Sequence, residues 1–249
     1  MTDFRALHRP GRPLLLPNAW DVASVFALAE AGFEAVGTTS LGIAAAYGVP
    51  DGAGLAQERT LELVRRVKGL RVPLTVDVES AGAEFAAELF AAGAAGINVE
   101  DGRGADGLAP VEEQAELIAA IKQRVPGLFV NARIDTYWLG TGQGDTAKRA
   151  EAYLAAGADG IFVPGIRDDH EIRALPGPLN VLLLPGMTVG RLARLGVARI
   201  STGSLLYRAA LDAALVTAAA VQEGAPAPDG VRSYAETDRL AALVSERPK

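Results

Sequence analysis

An Ala-rich helical stretch that ends in Gly and passes straight into a short apolar run recurs along this chain, and it restricts the fold more than any other feature. Four copies are plain: Leu28-Ala29-Glu30-Ala31-Gly32 into Ala35-Val36-Gly37, Phe90-Ala91-Ala92-Gly93 into Gly96-Ile97-Asn98-Val99, Leu154-Ala155-Ala156-Gly157 into Gly160-Ile161-Phe162-Val163, and Ala193-Arg194-Leu195-Gly196 into Ala198-Arg199-Ile200. Glycine takes positive φ without a Cβ clash, so each Gly marks a helix end that feeds a strand. Four more apolar runs lie between these joints: Pro13 to Leu16, Pro73 to Val78, Leu128 to Asn131 and Asn180 to Leu184. Helical segments separate the strands at Val22 to Ala31, Leu55 to Lys68, Ala83 to Ala92, Val111 to Gln123, Thr146 to Ala156, Asp169 to Ala174, Val189 to Leu195 and Leu205 to Val221. Strict alternation requires right-handed crossovers and a parallel sheet, and eight units of about 30 residues predict an α/β fold, a single (β/α)8 TIM-type barrel. An open doubly wound sheet would carry a glycine fingerprint after its first strand, and Pro17-Asn18-Ala19-Trp20-Asp21 is not one.

The barrel is expected over residues 1–222 of the 249, with a hinge and helical arm over 223–249. Ala225-Pro226-Ala227-Pro228-Asp229-Gly230 breaks the preceding helix, and Ser233-Tyr234-Ala235-Glu236 reads as a capping box that opens a last helix through Leu240, Leu243 and Val244. Such an arm either exchanges between subunits or folds back over its own barrel. A formal net charge of −6 repels nucleic acid and anionic lipid. No apolar stretch is expected to reach the roughly 18 residues that span a bilayer, so a cytoplasmic protein without membrane contact is expected. With no Cys in the chain, thiolate chemistry and disulfides are excluded.

In a barrel of this kind the strands' C-terminal ends open on one face, where function collects. The residues there are Asn18, Trp20 and Asp21; Thr38, Thr39 and Ser40; Asp77 and Glu79; Glu100 and Asp101; Asn131, Arg133 and Asp135; Pro164; Pro185; and Thr202-Gly203-Ser204. Asp77 and Glu79 lie two apart on an extended segment, hence on one face, and Glu100 ends the adjacent strand at the same height. Three carboxylates at one height repel each other, and a hard divalent cation resolves this; the alternative is that single acids pair with Arg or cap helices. Arg133, the lone cation among them, either presents its planar fork to a ligand carboxylate or phosphoryl group or pairs with Glu100 or Asp135. Thr38-Thr39-Ser40-Leu41-Gly42 reads as a small-residue loop whose hydroxyls and N–H groups suit an anion. His170, at a helix start, has a surface role, and His8 precedes the first strand.

Pro17-Asn18-Ala19-Trp20-Asp21, Thr39-Ser40-Leu41-Gly42 with Asp51 beyond it, Asp77-Val78-Glu79, Val99-Glu100-Asp101 and Asn131-Ala132-Arg133-Ile134-Asp135 together resemble the isocitrate lyase / phosphoenolpyruvate mutase superfamily, from residue 14 to about 210. The resemblance implies a (β/α)8 barrel that binds Mg²⁺, with Mn²⁺ as a substitute, and a small anionic 2-oxo acid, and that makes or breaks C–C or P–C bonds through a pyruvate-type enolate. It implies Asp77 as the direct metal ligand, with Glu79 and Glu100 holding metal-bound water. Thr39, Ser40, Leu41 (through its backbone N–H), Trp20 and Arg133 would bind substrate, and Asp51 would belong to a mobile segment at the mouth. It also implies a homo-oligomer, a tetramer or a dimer, with C-terminal helices exchanged between subunits.

The chain departs from the pattern in one place that matters. Lyases of the superfamily carry Lys-Lys/Arg-Cys-Gly-His after the strand-four acids, where this chain has Gly102-Arg103-Gly104-Ala105-Asp106-Gly107-Leu108. The polar loop of the mutases is absent too, and Pro164 stands where they have a His. Asp51, Arg133 and Tyr47 are left as the catalytic candidates, with Tyr137 a further proton donor. Decarboxylation needs no base, so a base-poor site points to a Mg²⁺-dependent lyase or decarboxylase of an oxaloacetate-like acid. The alternatives are an enzyme like phosphonopyruvate hydrolase, one like ketopantoate hydroxymethyltransferase, or a silent 2-oxo acid-binding barrel.

Overall fold

The computed structural model describes residues 3–52, 54–79 and 82–243. All strands pair in parallel in one sheet. They are β1 (Leu14–Leu16), β2 (Asn18–Ala19), β3 (Val36–Thr38), β4 (Leu74–Asp77), β5 (Gly96–Glu100), β6 (Phe129–Arg133), β7 (Gly160–Val163), β8 (Leu179–Leu182) and β9 (Arg199–Ser201). Each expected strand is present. β1 and β2 are halves of one strand: Pro17 has no N–H to give the ladder and separates them. β1 pairs with β9 and β2 with β3, so this divided strand closes the barrel. Asn18 fastens the seam, donating to the Thr38 carbonyl at 2.7 Å and accepting from the Thr202 and Gly203 N–H groups at 3.0 and 2.9 Å. Its place at a strand end reflects this structural task.

The helices are α1 (Val22–Glu30), α2 (Ser40–Ala46), α3 (Gln57–Arg66), α4 (Ala83–Ala92), α5 (Val111–Arg124), α6 (Thr146–Ala155), α7 (Asp169–Ala174), α8 (Val189–Arg194), α9 (Leu205–Gln222) and α10 (Tyr234–Ala242). Gly32, Gly93, Gly157 and Gly196, the four joints, all have positive φ, from 86° to 112°. α2 corrects the reading of residues 38–42 as a loop. Thr39 is its N-cap and accepts the Gly42 N–H, and the Ala run that follows is strongly helix-forming.

Side chains alternate across the strands. Val76, Ile97, Val99, Val130, Ala132, Ile161, Val163, Val181 and Ile200 are buried in the main core, which they share with helix residues such as Val25, Leu61, Leu89, Ile118 and Tyr153. The intervening positions, Asp77, Asn98, Glu100, Asn131, Arg133, Asn180, Arg199 and Ser201, therefore face the lumen. At the strands' N-terminal ends Phe4 and His8 plug the barrel against Phe129, with the His8 ring stacked 4.2 Å from that of Phe129. Burial, aided by Arg199, pushes His8 down to about 3, so it is neutral and far from the mouth.

The Ser233–Glu236 capping box opens α10 as expected. α10 folds back on α1 of its own chain, with Leu240 buried and Arg239 bidentate to Glu30 at 2.7 Å on both oxygens. Val244 lies outside the described residues. One expectation is corrected by α9: its 18 residues are long and apolar enough, by length and composition, to cross a bilayer. Arg208 and Asp212 are its charged residues, and seven Ala, mildly apolar, with four Leu and two Val supply most of the rest. No residue of α9 is buried.

Candidate active site

Five carboxylates and one guanidinium form the mouth. Arg133, at the end of β6, forms an ion pair through Nη1 with Glu100 at 2.6 Å and donates through Nε to Asp135 at 2.7 Å. The register places Glu100 directly beside Arg133, which makes the first contact a cross-strand pair. The guanidinium also lies 5.9 Å from the Trp138 ring and 6.0 Å from that of Phe162. Burial opposes its charge, but Asp135, Glu100 and Asp77 outweigh this and hold it protonated far above the working pH. The pairing alternative raised for Arg133 is therefore realised, through Nη1 and Nε among the described residues.

Asp77 ends β4. Its Oδ1 accepts from Asn98 Nδ2 at 3.4 Å and its Oδ2 from the Ser40 hydroxyl at 3.2 Å, while its backbone N–H donates to Thr38 Oγ1. Glu79 departs from expectation. Its φ of 57° is left-handed, so the segment is not extended through residue 79 and the two acids do not share a face as a strand would arrange. The Glu79 carboxylate instead accepts the N–H groups of Gly52 at 3.3 Å and Gly54 at 2.7 Å, which moors the segment carrying Asp51. Asp51 in turn hydrogen-bonds Ser40 and feels the charge of Asp77.

This crowding of acids shows in their proton affinities. Burial first, then Asp77, Asp135 and Glu79, push Glu100 up to about 8 against the pull of Arg133. Burial likewise raises Asp51, Glu79 and Asp135 above the usual carboxylate range. Five acids around one guanidinium leave a net negative site that favours a bound cation or proton. Among the described residues no three His, Asp or Glu side chains converge as direct ligands of one ion, because Glu79 is committed to the Gly52 and Gly54 amides and Glu100 to Arg133.

Asp101 has a different role from its neighbour Glu100. It is fully buried and accepts from Arg149 at 2.9 Å, the Tyr153 hydroxyl at 2.8 Å and the Asp135 N–H at 2.9 Å, so it braces the ends of β5 and β6. Gly102 follows because a Cβ there would run into the Asp135 carboxylate. The segment from Gly102 to Leu108 closes on itself through a bridge between those two residues. Arg103 ties it to the Glu100 carbonyl at 3.0 Å and to Gln114 at 3.1 Å.

Several expected site residues lie elsewhere. Tyr47 ends α2 with its ring half exposed under the Arg59 guanidinium, 4.9 Å away. It lines a cavity with Trp20, Arg59, Glu62 and Tyr207 that contains none of the five mouth carboxylates. Trp20 packs edge-on against Tyr207 with ring centres 5.4 Å apart. Tyr137 bonds Glu171, and burial and that acid push it up to about 12. His170 is exposed, as expected. Ser40 borders the mouth through its bond to Asp77, Thr39 is the buried N-cap of α2, and the Ser40 and Leu41 N–H groups belong to the first turn of that helix, where a helix cannot satisfy its own donors.

The family model for phosphoenolpyruvate phosphomutase matches residues 4–222. The chain belongs to that family. It is accordingly an enzyme of the isocitrate lyase / phosphoenolpyruvate mutase superfamily, whose members make and break C–C and C–P bonds. The uncharacterized protein Rv1998c of Mycobacterium tuberculosis is 43% identical over 247 residues, 94% of each chain. The 2-methylisocitrate lyase of Bacillus subtilis is 33% identical, covering 74% of this chain and 66% of its own. The oxaloacetate decarboxylase of Ectopseudomonas mendocina is 30% identical, covering 84% and 80%. Among solved structures, a phosphonopyruvate hydrolase in complex with oxalate and Mg²⁺ superposes with a TM-score of 0.83 at 25% identity, covering 97% of this chain and 94% of that one. For a phosphoenolpyruvate mutase family member, the lumen residues Asn98, Asn180 and Arg199 are what sequence reasoning passed over. The available signal was a polar residue at an inward position in the middle of an apolar strand.

Proposed function

We propose that the protein is a Mg²⁺-dependent lyase that decarboxylates a small, oxaloacetate-like 2-oxo acid through a pyruvate-type enolate. The observation that carries this reading is the mouth itself, with several buried carboxylates around one guanidinium and no thiol or imidazole beside them. The residues fit the ion. Mg²⁺ keeps several waters and takes one or two carboxylates directly, so Asp77 with further acids crowded around it suits the ion. Asp77 would hold it directly, and the lone pairs that Glu79 and Glu100 keep beyond their bonds to the Gly52 and Gly54 amides and their pairing with Arg133 would hold its water. Mn²⁺ would serve in its place. Bound there, the cation supplies a Lewis acid for the 2-oxo group and for the negative charge that develops as CO₂ leaves.

The chain's own residues do the rest. Arg133, rigid between Glu100 and Asp135, would bind the substrate carboxylate. Thr39, Ser40 and the N–H of Leu41 receive the other end of the acid. Asp51, raised by burial against the lowering effect of its bond to Ser40, would serve as the proton donor to the enolate carbon. The Gly102–Leu108 segment, closed on itself by its bridge, brings no thiol or imidazole to the reaction. Hydrolysis of phosphonopyruvate is the second reading, supported by the likeness to the Mg²⁺- and oxalate-bound hydrolase.

Outside the mouth, α9 supports a homo-oligomer, a tetramer or a dimer, since Leu211, Leu215, Val216 and Val221 stand exposed along it. The proposed location is the cytoplasm.

The test is a panel of oxaloacetate, phosphonopyruvate and 2-methylisocitrate with Mg²⁺, following pyruvate. Oxaloacetate turnover above the metal-catalysed background, lost with EDTA and in Asp77→Ala, is the expected result. Turnover of phosphonopyruvate alone would select the second reading. No turnover of any of the three would leave a binding barrel, and the proposal would fail.

A further inference from the structure

Barrel lumens of this class are usually filled by Val, Ile and Leu. Here β9 instead sends a guanidinium inward, and Arg199 is completely buried. A charge in such a place costs several kcal/mol unless it is compensated, and no carboxylate of the described residues lies within ion-pair distance of it. Its contacts are all neutral. Nε donates to Ser201 Oγ at 3.1 Å and Nη2 to Asn98 Oδ1 at 3.3 Å, while among the described residues Nη1 has no hydrogen-bond partner. Burial lowers Arg199 to about 9, with Asp77 pulling the other way, so it stays charged at neutral pH. Local pairing does not explain why this position carries an arginine.

The explanation lies one residue further on. A carboxamide can present either its oxygen or its NH₂ to a neighbour, and little separates the two orientations until the partners choose. Asn98 Oδ1 receives two donors, Arg199 Nη2 and Asn131 Nδ2, the latter at 2.9 Å. A guanidinium has donors only, so it can face nothing but the oxygen. The Asn98 NH₂ must then point the other way, where it meets Asp77 Oδ1 at 3.4 Å. Asn98 and Asp77 are direct neighbours in the β4–β5 register, which makes this contact unavoidable. With the Ser40 hydroxyl on Oδ2, one lone pair of each Asp77 oxygen is occupied and the plane of the carboxylate is set. If Asn98 flipped, oxygen would face carboxylate, and Asp77 would swing away.

We propose that Arg199 is a positioning residue for Asp77: through Asn98 it holds the carboxylate so that its remaining lone pairs face the mouth and take a divalent cation. The inference rests on the reading of Asp77 as the direct metal ligand. Arg199 itself touches neither ion nor substrate.

The experiment titrates Mn²⁺ into the full chain and reads free Mn²⁺ by electron paramagnetic resonance. Groups that orient a metal ligand change affinity by about 10–100-fold when removed, so Arg199→Met is expected to weaken Mn²⁺ binding at least tenfold. Arg199→Lys, also a pure donor, is expected to restore it to within about threefold of the unsubstituted protein, on the same reasoning. Asn98→Leu cuts the link while keeping the arginine and is expected to lose as much as Arg199→Met. The double variant is expected to lose no more than either alone. A folded Arg199→Met chain that binds Mn²⁺ like the unsubstituted protein overturns the proposal, as does additivity in the double variant. Should Arg199→Met fail to fold by circular dichroism, Asn98→Leu decides alone, and unchanged affinity there overturns it. Equal binding by the unsubstituted chain and Asp77→Ala is a separate result: it removes the metal reading, and this inference with it.

Discussion

Removing the Glu79 carboxylate should release the segment that carries Asp51. Two backbone N–H groups, those of Gly52 and Gly54, end on this one carboxylate, at 3.3 and 2.7 Å. Hydrogen bonds to a charged acceptor contribute about 1.5–3 kcal/mol each, and both of these part-buried bonds fall at the low end, so Glu79→Ala should cost the closed segment about 3 kcal/mol. Alanine gains nothing back, because it keeps the φ of 57° at a cost of about 1 kcal/mol, as any L-residue does. Since each 1.4 kcal/mol is a factor of ten, about 3 kcal/mol shifts the opening equilibrium about a hundredfold. Glu79→Gln keeps an oxygen in place without the charge and should shift it only about tenfold, given the roughly halved strength of neutral hydrogen bonds. Amide hydrogen exchange at Gly52 and Gly54 measures this directly, with the Val76 amide in β4 as an internal reference that should not change. If both glycine amides exchange at the original rate in Glu79→Ala, the segment is held by something else and the mooring role is wrong. Glu79→Gly separates the two contributions, since it removes the anchor but also the backbone strain.

Three further outcomes are expected. Glu100 has its folded value near 8, above its ordinary 4.5, so the metal-free chain gains stability by taking up a proton; that stability is full below pH 4.5 and is lost as pH rises through 8. The melting temperature of EDTA-treated protein should therefore fall by several degrees from pH 5 to pH 8 relative to Glu100→Gln, and a flat difference would refute the assignment. Asp101→Asn leaves the buried Arg149 without its counter-charge, 2.9 Å away, and should cost about 3 kcal/mol, lowering the melting temperature by about 6–12 °C for a chain of this size. Gly102→Ala forces the Asp135 carboxylate off its seat beside Arg133, so catalytic efficiency should drop at least tenfold while the melting temperature moves by less than about 4 °C; unchanged kinetics would mean that Asp135 does not hold Arg133 for substrate.

The barrel was legible in the sequence because its signals are local. Gly93 and Gly157 take left-handed φ at helix ends for a reason internal to one residue, and the Ser233–Glu236 capping box needs only four consecutive positions. The acids at the mouth were legible for a related reason: Asp77, Glu100 and Arg133 sit on strands, where a period of two and a common register place side chains with little freedom. Where the ladder stops, that constraint ends. Glu79 lies two residues past β4, and amides from a distant segment decide its direction. Asp101 is as acidic as Glu100 and adjacent to it, yet a buried arginine and tyrosine about fifty residues away make it a brace instead. Whether Tyr47 reached the mouth depended on the course of α2, and Arg59 meets its ring elsewhere. The division follows the range of the forces. By itself the sequence determined eight strand-helix units, their closure into a barrel and an acidic mouth around Arg133, because backbone geometry and side-chain alternation act between near neighbours. Only the tertiary structure decided which acids face a ligand and which face protein, and it alone brought Arg199 across the lumen to Asn98, since such contacts depend on where residues 101 positions apart meet in space.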